Sequence, residues 1–363
     1  MTLQSFAFNL LTEPSANTTS AVPNGFNVYM AWLLGQCCNV TYQDYNQDTP
    51  PNLQALTLGP GITIPSTLVQ GFTASEANGP SSTVSDPGDY STFPAGFAAV
   101  ISVSSPPTGV PSSFIVVALR GTQTWQEWVM DAESYPTIFA GGNNSFPTTA
   151  LAHDGFYNLY TAGSLGKTVS SPLDPSASSR ASGAIAQQVA AYLSNPQLPS
   201  GLPVYVTGHS LGGALAAYCA WDIAAILGPS AGNASHYSLA AMYSLAAPRC
   251  VMGFSVTVFG APAGVPVDAF LQGYQGAVSK TFRVVHTCDI APLVPPSTII
   301  SNNYLQLATA HVTDSWSYAG QSGGLTANVV AFAAQTGNIG NNHSCAFIYV
   351  PFLAALAGGF VGA

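Results

Sequence analysis

Apolar residues recur along this chain with two different spacings, and the way the spacings alternate predicts an α/β architecture. Short apolar, β-branched runs typical of buried strands occur at 114–120 (FIVVALR), 203–207 (PVYVT) and 281–286 (TFRVVH). Helical spacing marks 26–46, the stretch 179–193 that begins with a Ser cap, and the Ala-rich segment after GHSLGG. Strands and helices in this order predict a mostly parallel sheet with helices on both faces.

The remaining segments predict further strands and loops. Pro-, Gly- and Ser-rich sequence predicts loops from the first helix to about residue 95. The run AAVISVS near residue 98 is separated from FIVVALR by the turn-forming SPPTGVPS, which predicts a hairpin in the sheet. SVTVFG, ending at Gly260, predicts another short strand.

The length and the loop distribution favour one domain. We expect a single domain over 1–363, with the N-terminal helix and loops in 1–95 and the core from about 96 onward. Gly/Ser/Pro-rich sequence near 162–179 and 229–250 predicts surface insertions rather than linkers.

Composition changes the expected surroundings of the protein. Only 6% of the residues are charged, against roughly 25% in an ordinary soluble domain, so uncharged polar residues must cover the surface. Such a surface is common in secreted proteins, and we expect an extracellular location. The net charge of -9 and the scattered basic residues exclude a basic footprint for nucleic acid or for anionic lipid.

The segment Gly208-His209-Ser210-Leu211-Gly212 fits the pattern GxSxG. In this turn the glycines let a strand and a helix approach closely, and the serine hydroxyl is exposed on a strained backbone. Here the motif lies between the strand VYVT and an Ala-rich helix, which is the setting that the turn needs. We therefore predict that Ser210 is a nucleophile; the alternative is an ordinary tight turn in a protein that binds lipid or a partner without catalysis.

Five segments in order, ALRGTQTWQEWVMDAE, HDGFYNLY, VTGHSLGGALA, VFGAPAGV and RVVHTCDIAPLVPP, resemble the class 3 lipase family of fungal-type lipases. The resemblance spans 118 to about 350. It implies an α/β-hydrolase fold with a helical lid, and hydrolysis of acylglycerol, phospholipid or feruloyl esters without a metal or other cofactor. The implied partner is an ester lipid at a lipid–water interface. The family usually has a proline followed by arginine at its FGxP segment, whereas here Pro262 is followed by Ala263.

A serine hydroxyl needs a histidine base and an acid that orients it, and in α/β hydrolases the chain order is Ser, acid, His. The downstream acids are Asp222, Asp268, Asp289 and Asp314. Asp289 follows a strand at the carboxyl edge of the sheet, where such folds place their chemistry. It also matches the family's acid position, so we predict Asp289 as the acid.

Two histidines follow this acid, His311 and His343. His343, with a tyrosine a few positions later, resembles the catalytic histidine of the family, whereas His311 resembles a strand histidine. We predict His343 as the base. If His343 meets Asp289, the neighbouring Cys288 and Cys345 come close enough for a disulfide; the six cysteines show no zinc or redox spacing, so bridges and buried thiols both remain open.

An oxyanion intermediate needs two aligned donors. One is expected to be the backbone N–H of Leu211, the residue after the nucleophile. The resemblance assigns the second to Thr122. Trp125, Trp128 and Val129 follow at i, i+3 and i+4, which predicts a helix with one apolar face; the family places its lid here, and the alternative is a packed surface helix.

The uncharged C-terminal stretch 345–363 is barely long enough to span a bilayer. Pro351 and a Gly pair interrupt it, so we expect a helix packed on the core and no stable membrane span. The sequence thus predicts a lipase that cleaves acylglycerol esters through an acyl-enzyme. The alternative from the same residues is an esterase with little or no lid, such as a feruloyl esterase or phospholipase A1.

Overall fold

A computed structural model describes most of the predicted core of the chain. The described residues are 25–43, 58, 61–77, 90–121, 136–139, 150–161, 184–227, 237–254, 269–286, 289, 291–295, 298–299, 302–305, 310–313 and 343–357.

Strands and helices alternate over much of the described chain. The strands are β1 (Ile62–Thr63), β2 (Val69–Ala77), β3 (Tyr90–Val103), β4 (Ser113–Leu119), β5 (Pro136–Ile138), β6 (Leu151–His153), β7 (Pro203–His209), β8 (Ser238–Leu245), β9 (Val251–Phe254), β10 (Thr281–His286), β11 (Thr298–Ile299), β12 (Asn302–Leu305) and β13 (Ala310–Thr313). The α-helices are α1 (Val28–Gln43), α2 (Asp154–Thr161), α3 (Ala184–Leu193), α4 (Leu211–Leu227), α5 (Ala269–Ala277) and α6 (Val350–Leu356).

The main sheet has the strand order β1-β3-β4-β7-β8-β10-β13, with β2 paired to β3 at one side. From β4 to β13 the neighbouring strands run parallel, whereas β1, β2 and β4 pair with β3 in antiparallel fashion. Parallel strands need helical crossovers, which is why a helix follows β7. This mostly parallel sheet flanked by helices is the α/β-hydrolase architecture expected from the sequence.

Both faces of this sheet are buried, and strand β4 shows why its sequence is continuously apolar. Successive side chains point to opposite faces. Ile115, Val117 and Leu119 pack in a core with helices α2 to α5, while Val116 and Ala118 pack in a second core with α1 and α6. A strand that is buried on both sides needs apolar residues at every position.

A second, smaller antiparallel sheet has the order β11-β12-β9-β6-β5. Its strands are two to four residues long. Strand β9 joins the two sheets in sequence, because it begins six residues after β8 ends.

Two sequence predictions are corrected. Residues 78–89 are not described, but β2 and the start of β3 occupy parts of the region that we expected to be loops up to residue 95. The expected insertion at 229–250 contains β8, which lies between β7 and β10 in the main sheet. The two Ala and two Ser residues of SLAAMYSL hid this strand, because Ala and Ser are not enriched in strands.

A proline–arginine pair, Pro248-Arg249, lies in the segment between β8 and β9. The predicted strand SVTVFG and Pro262 lie outside the described residues. Arg249 is buried and donates hydrogen bonds to two carbonyl groups, from its backbone to Val294 (2.8 Å) and from Nη1 to Pro295 (2.7 Å). It thereby ties the end of β8 to the loop after Asp289.

The C-terminal segment packs on the core as predicted. A π-helical turn, Cys345–Tyr349, leads into α6, and Leu353 and Phe352 are buried. Helix α6 contacts α1, with Gly35 of α1 facing Val350. No described helix is both long and apolar enough to cross a membrane.

Candidate functional site

Ser210 occupies a sharp turn between β7 and α4. Its φ of 58° is in the left-handed region, which side chains other than glycine rarely adopt. The turn is fixed by two backbone hydrogen bonds, from the N–H of Ser210 to the carbonyl of Leu245 (2.9 Å) and from the N–H of Gly213 to the carbonyl of Ser210 (2.8 Å). The predicted elbow is therefore present in its predicted position.

The two glycines of the motif allow the strand and the helix to approach closely. A Cβ atom on Gly208 would overlap the carbonyl of Gly212, and a Cβ atom on Gly212 would overlap the carbonyl of Leu119 on the neighbouring strand. Both contacts are with backbone atoms, one in helix α4 and one in strand β4, which cannot move aside without disturbing these elements. The glycines are thus required by packing, independently of any chemistry.

Asp289 lies just beyond the end of β10 and its side chain is buried. Its carboxylate accepts three kinds of hydrogen bond: from the backbone N–H of Ala291 (2.9 Å), from the hydroxyl of Tyr349 (2.7 Å), and from His343. Its own N–H donates to the carbonyl of His286 (3.0 Å). Hydrogen bonds from three partners hold this buried carboxylate in one orientation.

His343 meets Asp289 although 54 residues separate them in the chain. Nδ1 of His343 lies 3.0 Å from Oδ1 and 2.9 Å from Oδ2 of the carboxylate. The π-helical turn then brings Tyr349 to the same carboxylate, and the Tyr349 hydroxyl also accepts the backbone N–H of His286 (3.0 Å). The predicted acid and the predicted base are therefore brought together.

His209 connects this pair to the elbow. Its ring centroid lies 4.7 Å from that of His343, and the peptide after it belongs to Ser210. The hydroxyl of Tyr42, at the end of α1, lies 2.7 Å from Nδ1 of His209. Burial lowers the pKa of His209 well below its ordinary value, and the adjacent His343 lowers it further, so His209 is neutral at neutral pH.

The end of strand β4 reaches the same place. Gly121 lies so close to the elbow that a Cβ atom on it would be 3.0 Å from Cβ of Ser210 and 2.7 Å from the carbonyl oxygen of His209. Leu211 begins α4, so its N–H is one of the first donors of a helix, which have no acceptor within the helix. Thr122, the residue after Gly121, lies outside the described residues, as do the predicted lid residues Trp125, Trp128 and Val129.

The other candidates are placed elsewhere or not described. Asp222 is buried in α4, where its carboxylate accepts a hydrogen bond from Tyr160 (2.7 Å). His311 lies on β13, paired with Val284 of β10, as a strand histidine should. Asp268 and Asp314 lie outside the described residues. Among the residues that are described, no cluster of three His, Cys, Asp or Glu side chains could hold a metal ion.

Of the two possibilities left open for the cysteines, bridges or buried thiols, the structure shows buried thiols at the described positions. Cys345 is a free, buried thiol whose Sγ lies 3.6 Å from the carbonyl oxygen of Gly35, and Cys288 is not among the described residues. The other described cysteines are also free and buried: Cys37, Cys38, Cys219 and Cys250.

Two residues that touch this site were not predicted as part of it. Tyr349 carried a usable signal, because it follows the predicted base by six positions and falls on the same turn. Tyr42 carried none, since it precedes Ser210 by more than a hundred residues and ends a helix whose pattern indicates only packing.

Comparison with known proteins assigns the family. The family model Lipase (class 3) matches residues 116–299, which is half of the chain. The curated relative Phospholipase A1-II 6 of Oryza sativa subsp. japonica is 29% identical over 185 residues, which are 50% of this chain and 40% of that protein. The chain thus matches less than half the length of this relative.

Solved lipase structures are similar to this chain at low sequence identity. The Rhizomucor miehei lipase propeptide complex has a TM-score of 0.44 and 17% identity, covering 92% of this chain and 80% of that chain. A triacylglycerol lipase from Penicillium expansum has a TM-score of 0.44 and 14% identity, covering 79% of this chain and 81% of that chain. On the strength of the match over residues 116–299, this chain belongs to the class 3 lipase family.

Proposed function

We propose that this protein is a carboxylic ester hydrolase, specifically a lipase that cleaves acylglycerols with Ser210 as nucleophile, His343 as base and Asp289 as the orienting acid. The observation that carries the proposal is the buried hydrogen bond of 2.9 Å between His343 and Asp289. The ring of His343 contacts the ring of His209, the residue directly before Ser210, whose backbone is left-handed. Membership of the class 3 lipase family supports the same reaction class.

The proposed chemistry follows from the proton that each group carries. With Nδ1–H of His343 donated to the Asp289 carboxylate, Nε2 is the basic atom. Nε2 takes the proton of the Ser210 hydroxyl as its oxygen attacks the ester carbonyl, and then gives that proton to the leaving alcohol. Water, deprotonated by the same nitrogen, attacks the acyl-enzyme and releases the carboxylic acid and Ser210. The carboxylate of Asp289 stabilises the imidazolium in both steps.

The tetrahedral intermediates carry a negative oxygen that needs donors. We assign one donor to the backbone N–H of Leu211, which begins helix α4 and lies in the positive end of the helix dipole. We assign the second to Thr122. The close approach of Gly121 to Cβ of Ser210 supports this assignment, because Thr122 is its direct chain neighbour.

The lid remains part of the proposal. Trp125, Trp128 and Val129 are proposed to form an apolar helix face that covers the site in water and turns toward lipid at an interface. Hydrolysis of a short soluble ester, measured below and above its solubility limit, tests this directly. A lid predicts a steep rise in rate above the limit; a smooth saturation curve contradicts it. We also propose an extracellular location, supported by the low content of charged residues.

Covalent labelling tests the central proposal. A fluorophosphonate probe, followed by peptide mapping, is expected to modify the peptide that contains Ser210, and Ser210→Ala is expected to abolish both labelling and ester hydrolysis. Labelling of another residue would contradict the assignment. If neither labelling nor hydrolysis occurs with the lid opened by detergent, the chain is a binding protein rather than an enzyme.

A phospholipase A1 is the second candidate function. It is favoured by the matching relative from rice, which carries that name. Parallel assays on mixed micelles of phosphatidylcholine and on emulsified triacylglycerol separate the two candidates. Release of the fatty acid from position 1 of the phospholipid at the higher kcat/KM favours the phospholipase. A preference for a soluble feruloyl ester over both lipids favours the esterase alternative.

A further inference from the structure

We propose that Tyr42, at the end of helix α1, is a positioning residue that holds together the two chain segments on either side of the proposed oxyanion site. One segment is the elbow, through His209; the other is the end of β4, through Gly121. This inference rests on the proposed function, and it concerns a residue outside the part of the chain that matches the family.

The hydroxyl of Tyr42 has partners on both segments. It lies 2.7 Å from Nδ1 of His209 and 3.4 Å from the carbonyl oxygen of the same residue. The backbone of Gly121 also forms a hydrogen bond to it, and a Cβ atom on Gly121 would overlap the hydroxyl oxygen. The residue that follows Gly121 is Thr122, and the residue that follows His209 is Ser210.

The two kinds of hydrogen bond use the hydroxyl fully. A tyrosine hydroxyl has one proton to donate and lone pairs to accept with. It accepts the N–H of Gly121, and it donates its proton to Nδ1 of His209, which places the His209 proton on Nε2. Among the described residues, this Nε2 has no hydrogen-bond partner at normal geometry. The backbone of His343 lies near the His209 ring, and this interaction opposes the fall in the pKa of His209.

Both members of the pair are held neutral. Burial raises the pKa of Tyr42 well above its ordinary value, and burial lowers that of His209. The face of His343 therefore contacts an uncharged ring when the proposed imidazolium forms. A charged neighbour at 4.7 Å between ring centroids would disfavour that cation.

Helix α1 is well placed to keep Tyr42 in register. Its residues Cys38 and Gly35 contact the sheet and the C-terminal segment: Cys38 Sγ lies 3.3 Å from the hydroxyl of Thr207, and the carbonyl of Gly35 contacts Cys345. The helix thus touches β7, which leads to Ser210, and the turn that follows His343. A shift of α1 would therefore displace Tyr42 relative to β7 and relative to the turn that follows His343.

The test removes one oxygen atom. Tyr42→Phe removes the hydroxyl and keeps the ring. Tyr29→Phe is the matched control, because it removes a hydroxyl from the same helix at a position where the Tyr29 ring packs on Trp32. Hydrolysis of p-nitrophenyl butyrate is measured below its solubility limit and well below the unfolding midpoint of each variant. Tyr42→Phe is expected to lower kcat about 10- to 100-fold with KM within about twofold, and Tyr29→Phe to match the wild type.

A transition-state analogue separates positioning from loose packing. A butylboronic acid binds a serine hydrolase as a tetrahedral adduct, so its inhibition constant follows the alignment of the oxyanion donors. This constant is expected to rise in Tyr42→Phe by about the factor lost from kcat/KM. In a double-mutant cycle with His209→Leu, the double variant is expected to lose no more than the worse single variant, because the two side chains act as one unit.

The outcomes are distinguishable. A wild-type protein that hydrolyses the ester, together with a Tyr42→Phe variant of equal kcat and equal boronic acid affinity, overturns the positioning role and leaves the proposed function intact. Additive losses in the double-mutant cycle overturn the coupling through His209. A wild-type protein without hydrolysis or Ser210 labelling overturns the proposed function and the positioning role with it.

Discussion

The hydroxyl of Tyr349 donates a hydrogen bond of 2.7 Å to Oδ2 of Asp289, the same oxygen that lies 2.9 Å from Nδ1 of His343. Tyr349 and His343 thus share one oxygen of the Asp289 carboxylate. Because Tyr349 also accepts the N–H of His286, the carboxylate is tied to the end of β10 through a side chain that arrives from the C-terminal turn.

Removal of this hydroxyl tests its contribution. Tyr349→Phe leaves a carboxylate oxygen and the His286 N–H each short of one partner inside the protein, so we expect a loss of about 1–3 kcal/mol in the free energy of unfolding. We also expect kcat to fall about tenfold as the acid loses its fixed orientation. Chemical denaturation and ester hydrolysis measure the two effects. Tyr205→Phe, whose ring packs against Phe114, is the control; equal effects in the two variants would contradict a specific role.

Two buried aspartates compete for the role of the acid, and their amides discriminate between them. Asp289→Asn is expected to lower kcat about 10³- to 10⁴-fold, because an amide neither orients the His343 tautomer nor stabilises its cation. Asp222→Asn still accepts the Tyr160 hydrogen bond and is expected to retain activity within about threefold once corrected for folded protein. The reverse pattern would assign the acid to Asp222.

A second residue close to the elbow also has a strained, left-handed backbone. Ala246, which follows β8 beside Ser210, has a φ of 54°. Alanine is disfavoured there and glycine is not, so Ala246→Gly is expected to raise the free energy of unfolding by about 1 kcal/mol. Ala247→Gly, the next residue, is the control and is expected to lower stability, since it only adds freedom to the unfolded chain. Thermal unfolding decides; destabilisation by both substitutions would contradict the expectation.

A pair of glycine-to-alanine substitutions tests the close packing of the elbow. Gly212→Ala places a methyl group onto the Leu119 carbonyl, and it is expected to prevent folding or to cost at least about 3 kcal/mol. Gly276→Ala, in helix α5, meets no atom within 4 Å and is expected to stabilise the protein by up to about 1 kcal/mol. Denaturation curves of the two variants give the comparison. A well-folded Gly212→Ala protein would show that the strand and the helix can separate.

The buried histidine at the end of β6 predicts a pH dependence of stability. Burial lowers the pKa of His153 to about 4, against about 6.5 in an unfolded chain. Between these values only the unfolded state gains the proton, so the free energy of unfolding falls as the pH drops from 6.5 to 4, by up to about 3 kcal/mol. His153→Asn cannot titrate and is expected to flatten the curve in this window. Parallel curves for the two proteins would exclude His153 as the cause.

The sequence by itself determined the elements whose signals are local. The apolar runs at 114–120, 203–207 and 281–286 are strands β4, β7 and β10, and GHSLGG is the turn that its glycines require. These predictions were confirmed because a strand buried on both faces requires apolar residues at every position, and a close approach of two backbones requires glycine. The pairing of Asp289 with His343 was also predictable, through the order of residues and the family resemblance.

Tertiary structure alone decided what depends on long-range packing. Strand β8 is central although its sequence contains Ala and Ser, because neighbours on both faces supply the burial that its own residues do not signal. Tyr42 reaches His209 from 167 positions away only because helix α1 packs across the sheet. The same packing left Cys345 beside Gly35 rather than in a bridge. Local sequence records what a residue requires of its own backbone, and contacts between distant segments are fixed only when the whole core closes.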